Sequence, residues 1–509
     1  MEPREYQKAI VETAKKSNTL VVLPTGLGKT HIALMLAIER LKIENSKILF
    51  LAPTRPLASQ HLEYFKKNLD LEKEMHIFTG KIAAKKRAEI WKTAEIIFST
   101  PQCIENDLKN KLISLENVSL LIEDECHRAV KNYSYVSVVK KYIEEAKNQK
   151  VLGLTASPSS EPKTIREICK ILNIEAVEIR TRESPDVEPY LQKLTKETIR
   201  VELSDEIKKP IVMLRTLHKK KIEELQNRKL LFAPPTKTNI IALQKRLQQI
   251  VFGGNKHFNV LKGLSICAQA IKLHYMIELL ETQTIESCYN YAEELYSQAN
   301  QKKSKAAVQI VNSKEFQDAY LILTKLYQAN IEHPKIQKLV EILQKEAENK
   351  KEFRAIVFSQ YRDTVAKIKD ELTKKGIKAE VFIGQAKRKL NGLSQKEQQL
   401  ILYKFKESEI NVLVATSIGE EGLDISEVNL VIFYEPVPSA IRQIQRRGRT
   451  ARLHPGKLII LITRGTIDES YHWAAYNKEK KMYETLNTIK ESFDRKQAKK
   501  KKQKEIVDF

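Results

Sequence analysis

The chain contains 509 residues, of which 42% are hydrophobic and 30% are charged, and its formal net charge is +24. These proportions exclude general disorder and predict globular domains, roughly three at about 150 residues each. A positive charge of this size favours a polyanionic partner, either nucleic acid or an anionic membrane surface. Because no apolar run approaches the roughly 18 residues that span a bilayer, nucleic acid is the stronger alternative.

The cysteines and the first residues indicate the cellular compartment. The five cysteines are odd in number and lack the C-x-x-C spacing of a zinc site. They predict reduced, mostly buried thiols rather than a disulfide framework. Met1 leads into charged sequence without the apolar segment of a secretory signal. We therefore expect a cytoplasmic protein.

Short apolar strands alternate with helical stretches from the first residue to about residue 180. This alternation predicts a parallel sheet that is covered by helices and binds ligands at the carboxyl ends of its strands. The strand candidates are residues 20–23, 48–52, 96–99, 118–122 and 151–154.

The stretch LPTGLGKT follows the first strand and precedes a helical pattern, an arrangement typical of a phosphate loop. Lys29 is predicted to neutralise the β and γ phosphates, and the Thr30 hydroxyl to complete the shell of a Mg²⁺ ion. The residues predicted to surround the phosphates are Pro24, Thr25, Gly26, Leu27, Gly28, Lys29 and Thr30. Leu23 stands where the strict pattern has glycine, and a glycine turn before a surface lysine is the alternative.

The fourth strand ends in three acidic residues, Glu123, Asp124 and Glu125. Acids at the end of a buried strand are costly unless they meet a cation. We expect Asp124 to bind Mg²⁺ through water and Glu125 to orient and deprotonate the attacking water. A helix N-cap is the alternative. After the fifth strand, the Thr155 and Ser157 hydroxyls either bond to His127 or belong to a plain turn.

Loops after other strands carry hydroxyl groups, prolines and an arginine, which suit contacts to a phosphodiester backbone. These candidates are Arg55, the pair Thr79 and Gly80, and Thr100. Each one is also ordinary turn chemistry by itself. Their shared position at strand ends is what favours the nucleic-acid interpretation.

The sequence changes character near residue 184. Residues 207–329 show long 3.6-residue periodicity, and no glycine occurs from residue 264 to residue 375. This pattern predicts an all-helical insertion between two α/β halves. Its lysine runs are explained as well by solvated helix faces as by nucleic-acid contacts.

A second alternating region begins near Pro334, with strand candidates at 355–358, 379–382, 412–415, 430–433 and 458–462. At one strand end, Asp424 could accept from a ribose or from a facing arginine. Further on lie five arginines that require anions opposite them: Arg442, Arg446, Arg447, Arg449 and Arg452. Because this half lacks a phosphate loop, its arginines are predicted to reach across a cleft to the nucleotide.

The predicted boundaries are 1–183 for the first α/β domain, 184–333 for the helical insertion, 334–486 for the second α/β domain and 487–509 for a basic tail. The tail is rich in lysine, and a disordered segment with nonspecific attraction to phosphate is the expectation for it.

Eight stretches in this order resemble the motif series of superfamily 2 helicases: LPTGLGKT, APTRPLASQ, STPQ, DECH, TAS, VFSQYRDT, ATSIGEEGLDI and QIQRRGRTAR. More specifically, the chain resembles the family of the archaeal Hef helicases and the Fanconi anaemia group M translocases. Stretches such as HRAVKNYSY and KLHYMIELLETQ carry this closer likeness, which extends from Arg4 to about Leu486.

The resemblance implies two RecA-like domains in tandem, an ATP and Mg²⁺ requirement, and a helicase or translocase that acts on forked or branched DNA. It implies that Arg4 and Gln7 contact adenine, and that Gln445, Arg449 and Arg452 line the γ-phosphate. Nucleic-acid contacts are implied at Arg55, Thr79, Gly80, Thr100, Ser359 and Thr416. A sliding clamp or a separate nuclease subunit is an implied partner, and an archaeal member would associate with the nucleoid.

Two departures from the family pattern keep alternatives open. Cys126 stands where DEAH-type members have alanine, as in RNA-sensing and Dicer-type helicases, so an RNA-stimulated ATPase is one alternative. The nuclease signature that follows the helicase in full archaeal members is expected to be split off, truncated or lacking. A nucleic-acid clamp with a vestigial nucleotide site is a third possibility, which intact Lys29, Glu125 and Arg449 oppose.

Overall fold

The computed structural model describes residues 2–70, 72–159, 161–254, 256–349, 353–385, 392–419, 425, 427–451 and 454–507. In this part of the chain, two parallel sheets and a bundle of helices form three bodies with separate apolar cores. The predicted fold class, two α/β domains with an all-helical domain between them, is confirmed. Within the described residues, no helix is both long and apolar enough to cross a membrane.

The first lobe contains a seven-stranded sheet with the strand order β3-β4-β2-β5-β6-β1-β7. Its strands are β1 (Thr19–Val22), β2 (Lys47–Leu51), β3 (Met75–Phe78), β4 (Ile96–Ser99), β5 (Val118–Asp124), β6 (Val151–Thr155) and β7 (Ala176–Ile179). Its helices are α1 (Glu5–Lys16), α2 (Lys29–Arg40), α3 (Arg55–Asn68), α4 (Ala84–Thr93), α5 (Pro101–Lys109), α6 (Ser134–Glu145) and α7 (Pro162–Ile171). Two apolar clusters cover the two faces of this sheet.

The five strands predicted for this lobe are confirmed. They are mostly apolar, and β1, β4, β5 and β6 are buried along their whole length. The sequence did not predict β3 and β7. Both lie at the edges of the sheet, and three of the four side chains of β3 and two of the four of β7 are partly exposed.

The second lobe begins before the insertion, with strand β8 (Leu194–Val201). β8 pairs in parallel over its full length with the last strand of the second sheet. The assignment of residues 194–201 to the insertion is therefore wrong. β8 is an edge strand with the sequence LTKETIRV, and its mostly exposed polar side chains conceal it from an apolar pattern.

The insertion is a bundle of six helices in the described chain, placed between β8 and the rest of the second lobe. These helices are α8 (Asp205–Asn227), α9 (Lys237–Phe252), α10 (Phe258–Thr282), α11 (Ile285–Asn300), α12 (Lys305–Val311) and α13 (Lys314–Gln328). The bundle has two cores. A larger core near the lobes joins α8, α10, α11 and α13, and a smaller distal core joins the end of α8, α9 and the start of α10.

The second sheet has the order β10-β11-β9-β12-β13-β8. Its further strands are β9 (Ala355–Phe358), β10 (Ala379–Phe382), β11 (Val412–Ala415), β12 (Leu430–Phe433) and β13 (Gly456–Thr463), all as predicted within a few residues. The helices of this part are α14 (Pro334–Asn349), α15 (Arg362–Lys374), α16 (Gln395–Lys406), α17 (Ala440–Arg447) and α18 (Ile467–Val507).

The last helix, α18, returns to the first lobe. Met482, Leu486 and Ile489 are buried in the first-lobe core, and Phe493 packs against it. The expectation of a disordered tail from residue 487 is therefore wrong, since the helix continues to Val507. Spacings of three and four residues place these apolar side chains on one helix face that the surrounding charges concealed.

A buried ion pair fixes the junction of α14, α18 and the insertion. Lys335 pairs with Asp468, and the two side chains are 0% and 1% exposed. Lys335 Nζ also donates to the Thr282 carbonyl at 3.2 Å, and the Thr463 backbone N–H donates to Asp468 at 2.9 Å. The pair thus joins the end of α10 to the second lobe.

Replacing Lys335 with methionine is expected to lower the free energy of unfolding by about 3–5 kcal/mol, because Asp468 then remains buried without its cation. The measurement is chemical denaturation followed by circular dichroism. Lys338→Met is the matched control, because Lys338 lies on the same helix but is largely exposed and forms a surface pair with Glu341. Equal stability of the two variants would contradict this account of the junction.

Candidate active site

The stretch LPTGLGKT forms a loop between β1 and α2. The Leu23 backbone N–H donates to the Thr155 carbonyl at 3.0 Å and extends the pairing of β1 with β6. Gly26 and Gly28 have φ values of +86° and +80°, a conformation that favours glycine. Helix α2 then begins at Lys29, so the N–H groups of its first turn border the loop.

Leu23 itself explains the departure from the strict motif. Its side chain is fully buried in the first-lobe core, and its carbonyl accepts a hydrogen bond from Lys29 Nζ at 3.0 Å. The buried side chain therefore favours an apolar residue over glycine at this position, whereas any residue would provide the carbonyl. Lys29 is held over the loop, where the sequence predicted its phosphate contact.

Helix α1 holds the loop from the other side. Tyr6 Oη donates to the Leu27 carbonyl at 2.7 Å, and Gln7 Nε2 donates to the same carbonyl at 3.2 Å. A Cβ atom at Gly28 would collide with Gln7, so this position accepts only glycine. The Arg4 guanidinium lies 4.9 Å from the centre of the Tyr190 ring. The two residues proposed to contact adenine therefore flank the loop.

A histidine bridges the two candidate metal ligands. His61 Nε2 lies 2.8 Å from Asp124 Oδ2, and His61 Nδ1 lies 3.2 Å from Thr30 Oγ1. The three side chains come from α3, from the end of β5 and from the start of α2. Their oxygen donors suit a Mg²⁺ ion, which keeps most of its waters and needs one or two protein ligands.

The Asp124 carboxyl group is in a state that can bind a cation. Burial acts to raise its pKa, but the hydrogen bond from His61 and the charges of His61 and Lys29 outweigh burial and hold the pKa below its usual value. The carboxylate is therefore ionised at neutral pH.

The sequence did not predict His61. It directly follows APTRPLASQ and lies on the buried face of α3 together with Ala58 and Phe65. A histidine among apolar positions on one helix face was the sequence feature that could have indicated a site residue. Its contacts with Thr30 and Asp124 could not be predicted, since they join distant parts of the chain.

The neighbouring acids have different environments. Glu123 is completely buried and has no hydrogen-bond partner among the described residues. Burial raises its pKa well above the ordinary value, so Glu123 is a neutral packing residue. Glu125 has a φ of +49°, a strained conformation for a residue with a side chain.

The Glu125 carboxylate lies 3.3 Å from His127 Nδ1. His127 Nδ1 is also 3.2 Å from Thr155 Oγ1, so a hydroxyl at the end of β6 does meet this histidine, one of the two alternatives that the sequence left open. Thr155 Oγ1 also accepts from the Ser157 backbone N–H at 3.1 Å, which makes Ser157 part of the local turn.

Helix α17 of the second lobe rests on the phosphate loop. Ile444 packs into the first-lobe core, and a Cβ atom at Gly448 would lie 2.8 Å from Thr25. Arg449 follows Gly448 directly and is buried. Gln445 lines a cavity of about 540 Å³ between the lobes, together with Thr416 and Arg128. Asp424 and Arg452 lie outside the described residues.

The inner side of α17 joins a buried polar network. The Arg446 guanidinium lies 5.0 Å from the Phe358 ring and 5.5 Å from the Phe433 ring. Burial raises the pKa of nearby Glu435 to about 7, against the charges of Arg446 and Lys335. Glu435 accepts from the Gln360 backbone N–H at 2.6 Å and from Gln283 at 3.4 Å.

This network also corrects the position of Ser359. Its side chain is 0% exposed, and its Oγ donates to Gln283 Oε1 at 3.5 Å. Gln283 Oε1 also accepts from Thr364 at 2.9 Å. Ser359 therefore faces the insertion rather than a surface that nucleic acid could reach.

The sheet order separates the two sets of candidate residues in the first lobe. Arg55, Gly80 and Thr100 follow β2, β3 and β4, which are neighbours at one side of the sheet. Arg55 and Gly80 are exposed, Thr100 is half-buried, and Thr79 is buried. The phosphate loop follows β1, and the candidate catalytic acids lie at the end of the central strand β5, next to β2. The proposed nucleic-acid loops and the nucleotide site are therefore separate but lie side by side at the same edge of the sheet.

Three family models match the chain in succession. They are "DEAD/DEAH box helicase" over residues 4–165, "Putative ATP-dependent RNA helicase, helical bundle" over 205–348 and "Helicase conserved C-terminal domain" over 334–454. The crystal structure of the Hef helicase domain from Pyrococcus furiosus is 44% identical, covers 93% of this chain and 98% of that chain, and superposes with a TM-score of 0.72.

The chain belongs to the Hef family of superfamily 2 helicases. The family models and the helicase names of its relatives identify an ATP-dependent, helicase-type enzyme. A "Putative ATP-dependent RNA helicase" of Methanocaldococcus jannaschii is 41% identical over 96% of this chain and 61% of that protein. An ATP-dependent DNA helicase of Schizosaccharomyces pombe is 33% identical over 95% of this chain and 59% of that protein. The chain thus spans about three fifths of these two relatives.

Replacing His61 with alanine is expected to lower ATP hydrolysis and the apparent Mg²⁺ affinity about 10- to 100-fold, since residues that orient metal ligands typically contribute that much. The measurements are turnover and the binding of a fluorescent ATP analogue across a MgCl₂ titration. His76→Ala is the control, because that ring is partly exposed and pairs weakly with Glu74. An unchanged Mg²⁺ dependence in His61→Ala would refute the bridging role.

Proposed function

We propose that this Hef-family enzyme is a nucleic-acid-dependent ATPase that translocates on DNA and remodels forked or branched DNA in replication-fork repair. The observation that carries the proposal is the contact of Gly448 in the second lobe with Thr25 of the phosphate loop in the first. A nucleotide held by that loop lies next to the arginines of the opposite lobe.

The residues on the two sides of the cleft have different proposed roles in ATP hydrolysis. Lys29 and the first-turn N–H groups of α2 bind the phosphates, and Thr30 and Asp124 are the proposed Mg²⁺ ligands. When bound, Mg²⁺ neutralises phosphate charge. Glu125 orients the attacking water and accepts its proton. Gln445, Arg449 and Arg452 are proposed to stabilise the transferred phosphoryl group, and an arginine in that role accelerates hydrolysis by about 10³–10⁵.

Because the two halves of the site lie on different lobes, hydrolysis depends on how the lobes meet. Nucleic acid that contacts both lobes would favour the productive arrangement, and release of phosphate would relax it. Arg55, Gly80 and Thr100 are the proposed contacts on the first lobe, and Thr416 on the second. Thr79 and Ser359 are buried and fit a supporting role better.

DNA is the substrate we propose, and the net charge of +24 supports a polyanion. The name of the M. jannaschii relative keeps RNA as a second candidate. Cys126 carries no information on this choice, because it is fully buried and its Sγ packs against Gly153. Burial raises the pKa of this thiol well above its ordinary value. A sliding clamp or a nuclease subunit is a proposed partner.

Lys29→Ala and Glu125→Gln are expected to reduce ATP turnover to background, whereas DNA binding persists, because neither residue lies in the proposed nucleic-acid loops. Lys42→Ala is the control, since Lys42 is exposed and forms a surface pair with Glu39. Arg449→Ala is expected to keep ATP affinity within about 3-fold and to reduce hydrolysis at least 10³-fold. Normal turnover in any of the three would overturn the site assignment.

The choice of substrate is tested by phosphate release with forked DNA, a Holliday junction, linear duplex and double-stranded RNA at matched salt and phosphate concentration. We expect forked and branched DNA to stimulate turnover most. Stronger stimulation by double-stranded RNA would transfer the proposal to RNA. No stimulation by any nucleic acid would remove it.

A further inference from the structure

A cavity of about 530 Å³ lies where the insertion meets the second lobe. Its walls come from α10 and α11 of the insertion and from the segment at which α15 begins. A volume of this size is typical of small-molecule sites. We name it the tyrosine cavity after its most prominent wall, and it is lined by three tyrosines and three acids, Tyr275, Tyr291, Tyr361, Glu293, Glu294 and Asp363.

The three tyrosine rings are in contact with one another. The rings of Tyr275 and Tyr291 meet edge to face, with their centres 4.7 Å apart and an angle of 80° between their planes. The centres of the Tyr275 and Tyr361 rings are 5.9 Å apart, and their planes are inclined by 49°. All three rings also pack against the larger core of the insertion, which holds them in place. They therefore form an inclined aromatic wall rather than a flat stack.

The charge of the tyrosine cavity is opposite to that of the whole chain. Glu293 and Glu294 lie on α11, and Asp363 lies in the first turn of α15. All three carboxylates belong to exposed residues. Among the described residues, no lysine, arginine or histidine lines the cavity, although the net charge of the chain is +24.

The two acids on α11 have hydrogen bonds but form no ion pair within the described part of the chain. Glu293 accepts from Tyr320 Oη. Glu294 accepts from Gln298 Nε2 at 3.1 Å. Lys272 acts on Glu294 through its charge, but its ammonium group donates to Gln298 Oε1 at 2.9 Å. The negative charge of these two acids is therefore only partly compensated.

The Tyr275 phenol shows that the electrostatic potential in the cavity is negative. Its pKa is raised to about 12, chiefly by burial and further by the charges of Asp363, Glu278 and Glu294. The phenol is therefore neutral at pH 7. The same carboxylates that disfavour a phenolate favour a cation in this space.

Aromatic rings and carboxylates in one cavity match an alkylammonium cation. The faces of the rings attract its positive charge, their apolar surface contacts its methylene groups, and the carboxylates accept from its N–H groups. The carboxylates repel an anion, which excludes a phosphate ligand. A bare metal ion fits less well, because no cluster of three or more metal-binding side chains occurs in the residues that the structure describes.

We propose that the tyrosine cavity binds a linear polyamine, with one ammonium group against the three rings and further ammonium groups at Glu294 and Asp363. Three carboxylates on two elements match a ligand with several charges, whereas the side chain of a single lysine carries one. Because the walls belong to the insertion and to the second lobe, the bound polyamine joins these two bodies. The inference goes beyond the proposed function and does not depend on it.

The test is isothermal titration calorimetry of the full chain with spermidine, at constant ionic strength and without nucleotide or nucleic acid. We expect saturable binding of one spermidine per chain. Glu294→Gln with Asp363→Asn is expected to weaken this binding at least about 5-fold, because charge-assisted contacts are lost. Glu206→Gln with Asp318→Asn is the matched control. It changes the net charge equally, and both residues are exposed acids of the insertion that do not line the cavity.

The contribution of the rings is measured separately with tetramethylammonium chloride, which has a positive charge but no N–H group. Tyr275→Leu is expected to weaken the binding of tetramethylammonium and of spermidine about 3-fold or more, because an aliphatic side chain has no π face. Tyr275→Phe keeps the ring and is expected to bind both within about 2-fold of wild type. A circular dichroism spectrum identical to that of wild type establishes that each variant is folded.

Four outcomes would overturn the proposal. The first is equal spermidine affinity in the acid variant and its control, and the second is equal affinity in Tyr275→Leu and Tyr275→Phe. Tighter binding of N-acetyl-lysine amide than of spermidine would assign the cavity to a lysine side chain of a protein. Displacement of spermidine by an equal concentration of MgCl₂ would show only a general attraction of cations. Since none of these measurements involves ATP or DNA, the proposed function is tested independently.

Discussion

A buried carboxylate at the end of a central strand, in each of the two sheets, is the constraint on which the arrangement of this protein depends. Asp124 ends β5, and Glu435 follows β12 by two residues. An isolated carboxylate in such a place is costly, so partners must come from other elements. Asp124 meets His61 of α3. Glu435 meets the Gln360 backbone and Gln283 of the insertion. One carboxylate therefore connects helix α3 to the first sheet, and the other connects the insertion to the second sheet.

Helix α17 belongs to both halves of the enzyme. Its Arg446 is buried between aromatic rings of the second lobe, whereas Gly448 at its end touches the phosphate loop of the first. Arg447 pairs with Glu479 of α18 at 2.6 Å, and α18 continues onto the first lobe through Leu486 and Ile489. A movement of the lobes must therefore change contacts at the nucleotide and along α18 together. This connection supplies a physical route between the cleft and the rest of the molecule.

The insertion also has two parts, one for each of its apolar cores. The larger core lies near the lobes. Gln283, which follows α10, donates a hydrogen bond to Glu435 in the buried network next to α17. The distal core supports a basic surface with exposed phenylalanines. One end of the bundle thus contacts the second lobe next to α17, and the other end faces solvent. The bundle thus forms a packed connection between its distal end and the second lobe.

The sequence by itself determined the features that are local in the chain. Buried strands such as β5 and β12 are mostly apolar, and the phosphate loop has a recognisable local sequence, so both were predicted. Of the four edge strands described, β10 was predicted and β3, β7 and β8 were not. The polar side chains of β8 are mostly exposed, which explains why an apolar pattern missed it. The tertiary structure alone decided the contacts of His61, the burial of Ser359, the ion pair of Lys335 with Asp468, and the return of α18 to the first lobe. These features join residues far apart in sequence, and their energies arise from desolvation, which exists only once the chain has folded.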